Sequence, residues 1–169
     1  MKVQFTFNGS KVEWDVHPGE TLFETIRREG YYGTKRGCNT GDCGTCTVLI
    51  NGDPVNSCQV FTASLEGSEV RTIEGVVYRD RKTGEVIRHP VQEKFVEAGA
   101  IQCGYCIPGM VLSAIGLLEK NPNPSEEEIR RALDGNICRC TGYVKQIEAV
   151  KEAAKALASG AYHPAPNRA

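Results

Sequence analysis

The stretch GCNTGDCGTC, residues 37–46, packs three cysteines and three glycines into ten residues. The cysteines fall as Cys38-x4-Cys43-x2-Cys46, and Cys58 follows beyond an apolar run. Thiolates gathered in a short loop repel one another unless something positive sits among them. The glycines, with Gly33 just upstream, let the backbone curl through conformations other residues resist and turn N–H groups toward the sulfurs.

This spacing suits a 2Fe–2S cluster of the plant type. N–H groups aimed at the sulfurs favour the reduced, more negative state and so tune the potential. Structural zinc, held by four thiolates, is the competing reading; the four-residue gap and the glycine loop favour iron–sulfur. A Rieske centre needs two histidine ligands, and His17, His89 and His163 all lie away from the cysteines. The histidines read as surface or capping residues.

Working outward from the loop, Val3, Phe5 and Phe7 alternate with polar residues, Asn8-Gly9 marks a turn, and Val12, Trp14 and Val16 alternate again. That is a hairpin signature. HPGETLFETIRRE, residues 17–29, has Leu22, Phe23 and Ile26 at helical spacing, with Gly30 beyond. TCTVLING (45–52) reads as a strand and DPVNSCQV (53–60) as its partner, with Cys58 reaching back from that second strand; SEVRTIEG (68–75) reads as a last strand. A helix across a mixed sheet in this order is a β-grasp. Trp14 and the phenylalanines read as core. Tyr31 and Tyr32 read as core or as cover for the cysteine loop.

After a polar stretch the pattern becomes helical. PVQEKFVEAGA (90–100) is a short helix, and IPGMVLSAIGLLEKNP (107–122) is apolar on most faces, with Pro108 in its first turn. Ser125 and Glu128 form a capping box, and Gly135 closes that helix. TGYVKQIEAVKEAAKALASG (141–160) is a fourth helix, with Thr141 as its expected cap. The expected fold is therefore α+β: an N-terminal β-grasp domain over 1–76, a linker or exposed hairpin over 77–89, a C-terminal four-helix bundle over 90–158 and a tail over 159–169.

A second group of cysteines sits in the helical part. Cys103-x2-Cys106 precedes one helix and Cys138-x-Cys140, in NICRCTG (136–142), precedes another. One residue between Cys138 and Cys140 is too few for an easy mutual disulfide. Helix N-termini carry unpaired N–H groups and partial positive charge, so two such ends facing each other would suit an anionic cluster. Zinc fits two cysteine pairs equally well on spacing alone.

GAIQCGYCIPGM (99–110) and GNICRCTGY (135–143), following GCNTGDCGTC, resemble the small iron–sulfur component of the molybdenum hydroxylases, the family of xanthine dehydrogenase, aldehyde oxidoreductase and carbon monoxide dehydrogenase. The resemblance spans about residues 2–155. It implies two 2Fe–2S clusters, one in a plant-ferredoxin-like domain facing a flavin partner and one in a helical domain facing a molybdopterin cofactor. It makes all eight cysteines, Cys38, Cys43, Cys46, Cys58, Cys103, Cys106, Cys138 and Cys140, iron ligands. It makes Gln102 the residue that hydrogen-bonds the pterin and Cys140 the ligand whose sulfur lies against it. It also implies a large molybdopterin-binding subunit and a medium FAD-binding subunit on separate chains, in a dimer of heterotrimers. The segment 76–88 is longer than the family's usual connection.

Composition agrees with that reading. Twenty basic residues against 21 acidic ones leave a net charge of −1, with no basic stripe for nucleic acid. No apolar run reaches the roughly 20 residues of a membrane span, and the alternating start is not a signal peptide. The expected location is cytoplasmic, where eight cysteines point to metal or redox work more than to disulfides. Lys35 and Arg36 beside the first loop read as solvated charge, or as docking a partner or raising the cluster potential, and Arg139 between two cysteines reads as solvated or as offsetting cluster charge. Nothing resembles a nucleophile–base pair, a phosphate loop or an acid/base carboxylate pair, so no catalytic residue is expected on this chain.

Overall fold

The structure is a computed structural model and describes residues 1–79 and 83–160. Strand β1 (Lys2–Phe7) turns at Asn8-Gly9, both in the left-handed region, and pairs antiparallel with β2 (Ser10–Asp15). Helix α1 (Leu22–Arg28) starts at Thr21, which exchanges hydrogen bonds with Glu24 in a capping box. Strands β3 (Thr47–Ile50) and β4 (Asp53–Asn56) form a second antiparallel pair, and β5 (Glu69–Arg71) lies between the two pairs, parallel to β1 and antiparallel to β3. The sheet order is β2-β1-β5-β3-β4. A separate two-stranded ladder joins β6 (Tyr78–Arg79) to β7 (Val86–Ile87).

Four helices follow: α2 (Pro90–Glu97), α3 (Ile107–Lys120), α4 (Glu126–Asp134) and α5 (Val144–Ala158). Helix α2 packs on α5 and α3, and α4 on α3 and α5. The described residues are thus α+β, with a mixed five-stranded sheet and five α-helices. Ser125 and Glu128 form the expected capping box, and Gly135 ends α4.

Two cores meet at β3. Val48 points into one with Phe5, Phe7, Trp14, Leu22, Ile26 and Val70. Its neighbour Leu49 points the other way, into the core built by α2–α5 around Phe95, Met110, Ile115, Ile129 and Val150. Adjacent strand residues face opposite sides, so the unbroken apolar run at 48–50 marks a strand covered on both faces. Gly116 of α3 lies over this strand: an added Cβ would stand 3.1 Å from Leu49 and 3.2 Å from Pro54.

Some expectations change. Trp14, Phe5, Phe7 and Tyr31 form one edge-to-face aromatic cluster, but Phe61 is 55% exposed and Tyr32 60% exposed, with the Arg27 guanidinium over the Tyr32 ring. Cys58 is not on a strand. Pairing of β4 ends at Asn56, and Ser57–Gln59 coil into a single 3-10 turn. Thr141 is not the cap of the last helix. That helix begins at Val144 behind Tyr143, whose φ of 70° places it in the left-handed region. His89 is buried rather than on the surface, and it does cap a helix: its Nδ1 accepts from Val91 N at 3.2 Å. His163 and the tail from 161 onward lie outside the described residues.

Candidate metal centres

The first cysteine loop leaves α1 at Gly30 and returns to the sheet at β3. Within it the left-handed Asn39 (φ 67°), Gly41 (φ 88°) and Gly44 (φ 68°) turn the chain repeatedly. A Cβ at Gly37 would stand 2.5 Å from the Cys43 sulfur and 2.7 Å from Thr45 Oγ1. The backbone passes close behind the sulfurs, and only glycine permits it.

The structure brings Cys38, Cys43, Cys46 and Cys58 together. The Sγ atoms of Cys46 and Cys58 lie 3.4 Å apart. Cys38 has the Thr40 hydroxyl and N–H, then the Cys43 backbone and thiol, against it, and these pull its thiol down to about 6. Cys46 is buried, and burial first, with Cys58 beside it, pushes its thiol up to about 11. Donors reach two of the sulfurs, Thr40 N at 3.4 Å from Cys38 and Gln59 Nε2 at 3.3 Å from Cys58, while Thr45 Oγ1, which donates to the Lys35 carbonyl, lies 3.2 Å from the Cys43 sulfur. Lys35 donates to Tyr32 O at 3.1 Å, and Arg36 covers the Phe23 ring.

Cys103, Cys106, Cys138 and Cys140 also converge. Cys106 occupies the cap position of α3, while Cys138 and Cys140 lie in the loop before α5, not at its first turn. The sulfurs of Cys103 and Cys140 are 3.6 Å apart, and both residues are exposed. Burial, then the Cys138 thiol, pushes Cys106 up to about 12. Burial also works to raise Cys138, but hydrogen bonds from the Thr141 hydroxyl, the N–H groups of Cys140 and Thr141, and the Cys106 thiol outweigh it, and the Cys138 thiol lies below its ordinary range. Thr141 Oγ1 is 3.1 Å from the Cys138 sulfur, and Tyr143 accepts the Cys138 N–H at 2.7 Å. Gln102 and Arg139 are exposed.

None of the eight cysteines forms a disulfide. The closest sulfurs stand in pairs, Cys46 with Cys58 and Cys103 with Cys140.

A seam of backbone joins the two sets. Ile137 N donates to the Cys43 carbonyl at 3.0 Å. A Cβ on Gly44 would overlap the Gly135 carbonyl, and one on Gly109 would overlap the Gly44 carbonyl. Asn136, buried between them, donates to Ser113 Oγ at 2.7 Å. Sequence reading took Gly44 only as a loop glycine and passed over Gly109, Asn136 and Gln146, because each owes its role to a partner far away in the chain.

Comparison with known proteins fits this geometry. Residues 5–72 match the family model described as a 2Fe-2S iron-sulfur cluster binding domain, and residues 72–151 match the one described as a 2Fe-2S binding domain. The nicotinate dehydrogenase small FeS subunit of Eubacterium barkeri is 42% identical over 158 residues, covering 93% of this chain and 97% of that protein. The chain belongs to the small iron–sulfur subunits of the molybdenum hydroxylase family. The xanthine dehydrogenase iron-sulfur-binding subunit of Escherichia coli O157:H7 is 39% identical over 158 residues, covering 90% of this chain and 94% of that protein. The crystal structure of quinoline 2-oxidoreductase from Pseudomonas putida 86 superposes with a TM-score of 0.85 at 37% identity, over 96% of this chain and 98% of that one. As a member of the family, this iron–sulfur chain carries two 2Fe-2S binding domains and is a component of a multi-subunit oxidoreductase.

Proposed function

We propose that Cys38, Cys43, Cys46 and Cys58 hold one 2Fe–2S cluster and that Cys103, Cys106, Cys138 and Cys140 hold a second. The chain then relays electrons between a molybdopterin centre on a large partner subunit and an FAD centre on a medium partner subunit. The assembly is a cytoplasmic dimer of heterotrimers, and the domains divide at 1–76, 77–89 and 90–158, the last as a four-helix bundle.

The observation that carries the reading is the pairing of sulfurs, Cys46 with Cys58 at 3.4 Å and Cys103 with Cys140 at 3.6 Å. A binuclear cluster takes two thiolates at each iron, whereas structural zinc draws all four around one point. When bound, each cluster supplies a one-electron carrier. The chain's own residues do the rest. Raised thiols at Cys46 and Cys106 keep their protons until a metal displaces them. Thr40, Gln59 and Thr141 donate toward sulfur and stabilise added negative charge.

Exposure supports the second set as the one that faces a partner. Cys103 and Cys140 are exposed, and Ile101, Tyr105, Ile137 and Val144 beside them in sequence are exposed apolar residues. Such residues are expected to be covered by a partner. Gln102, exposed next to Cys103, would then present its amide to the pterin, and Cys140 its sulfur. Among the described residues no helix is long and apolar enough to cross a membrane.

The test is purification of the tagged chain from its native cell. Recovery with two larger chains carrying molybdenum and FAD supports the assignment. Recovery of the chain alone, competent as a soluble electron carrier, overturns the partner assignment.

A further inference from the structure

Gln146 is fully buried near the start of α5. Its Nε2 donates to the Ala100 carbonyl at 3.0 Å and to Thr141 Oγ1, while its Oε1 has no partner among the described residues. The reverse amide orientation would set oxygen against the Ala100 carbonyl, two acceptors face to face, so the two donated bonds fix the side chain. Ala100 opens the segment that carries Cys103, and Thr141 directly follows Cys140. One buried amide therefore ties together the loops that bring in three of the second set's four cysteines.

The bond to Thr141 also has a direction. An amide nitrogen donates and does not accept, so Thr141 Oγ1 accepts from Gln146 and keeps its own hydrogen for another partner. The Cys138 sulfur lies 3.1 Å away. A metal-ligating cysteine is a thiolate with no hydrogen to give, so the hydroxyl must donate to it. The same Nε2 stands 4.0 Å from that sulfur, too far to replace the hydroxyl.

We propose that Gln146 is a positioning residue of the second cysteine set: acting through Thr141, it aims a hydroxyl hydrogen at the Cys138 sulfur and raises the reduction potential of the cluster held there. This rests on the reading that Cys103, Cys106, Cys138 and Cys140 hold a 2Fe–2S cluster. A hydrogen bond to a ligating sulfur stabilises the reduced, more negative state, and a bond accepted by the hydroxyl strengthens the one it donates.

The experiment is a redox titration followed by electron paramagnetic resonance on the full chain in its purified complex. Gln146→Leu is expected to lower the midpoint of one signal and leave the other in place. The expected size is about a tenfold change in the reduced-to-oxidised ratio, roughly 59 mV for one electron. Thr141→Val reproduces the shift, and Thr141→Ser, which keeps the hydroxyl, restores the wild-type value. Gln146→Met, which also removes the donor at similar volume, takes its place if Gln146→Leu does not accumulate. An unchanged midpoint in the Gln146 variant overturns the proposal, whatever Thr141→Val does. A wild-type chain with only one signal instead overturns the cluster assignment beneath it, and the proposal with it.

Discussion

The amide of Ile137 donates to the carbonyl of Cys43 across 3.0 Å. One hydrogen bond thus links the backbone of a cysteine in the first set to the residue preceding Cys138 in the second. The approach is possible because Gly44 and Gly109 carry no side chains where the two loops and α3 meet. Electron transfer needs short paths through fixed atoms, and this seam holds both loops in one rigid contact.

Gly44→Ala is therefore expected to be severe. The position is left-handed, at φ 68°, and the new methyl would overlap the Gly135 carbonyl. Strain and displacement together should cost about 3 kcal/mol or more. Urea unfolding checks this. Gly116→Ala, where the neighbours stand 3.1 Å or more away, should cost less; equal losses would argue against the seam.

Cys140→Ser should remove a ligand of the second set and leave the first intact. Iron should fall from about four to about two per chain, and turnover of the complex should be lost while the N-terminal sheet keeps its fold. Cys46→Ser should do the reverse, sparing the second set. Cys140→Ser with full iron and normal turnover would contradict the ligand assignment.

Acid should weaken the fold through His89. Burial holds its imidazole neutral and lowers it to about 4, with Glu119 opposing that shift and Arg71 adding to it. The unfolded value is about 6.5. The folded state disfavours the proton, so the contribution is complete above pH 6.5 and is lost as pH falls toward 4, up to about 3 kcal/mol. His89→Asn retains a capping acceptor without the titration. Its urea midpoint should fall less than wild type between pH 7 and pH 5, and parallel curves would remove His89 from the account.

At the start of α4, Ser125 accepts from Glu128 N while the Glu128 carboxylate takes the Ser125 N–H at 2.7 Å. Ser125→Ala should cost about 1 kcal/mol, which is about 2–4 °C in a chain of this size. Differential scanning calorimetry measures it. A shift below one degree would mean that the helix end is held by packing alone.

Much of this was legible because it is local. Alternation at 3–7 and 12–16 with Asn8-Gly9 between them gave the β1–β2 hairpin, and Ser125 with Glu128 gave a helix start, since each rests on residues within a few positions. The division of the cysteines into two fours was read from spacing, and in the structure Cys46 lies beside Cys58 and Cys103 beside Cys140. What stayed hidden was a local backbone conformation and the packing of distant elements. Thr141 looked like a cap because a threonine before an apolar period usually is one. Tyr143 in the left-handed region delays the helix, and Thr141 turns instead to Cys138 and Gln146. His89 is buried only because α2 and its neighbours close over it, which no local pattern records.

The measurement that bears most directly on the central claim is iron, acid-labile sulfide and zinc analysis of the full chain, joined to electron paramagnetic resonance after reduction. Two 2Fe–2S clusters require about four iron and about four sulfide per chain and two distinct signals. Stoichiometric zinc in a colourless protein, or a single signal with half that iron, would contradict it.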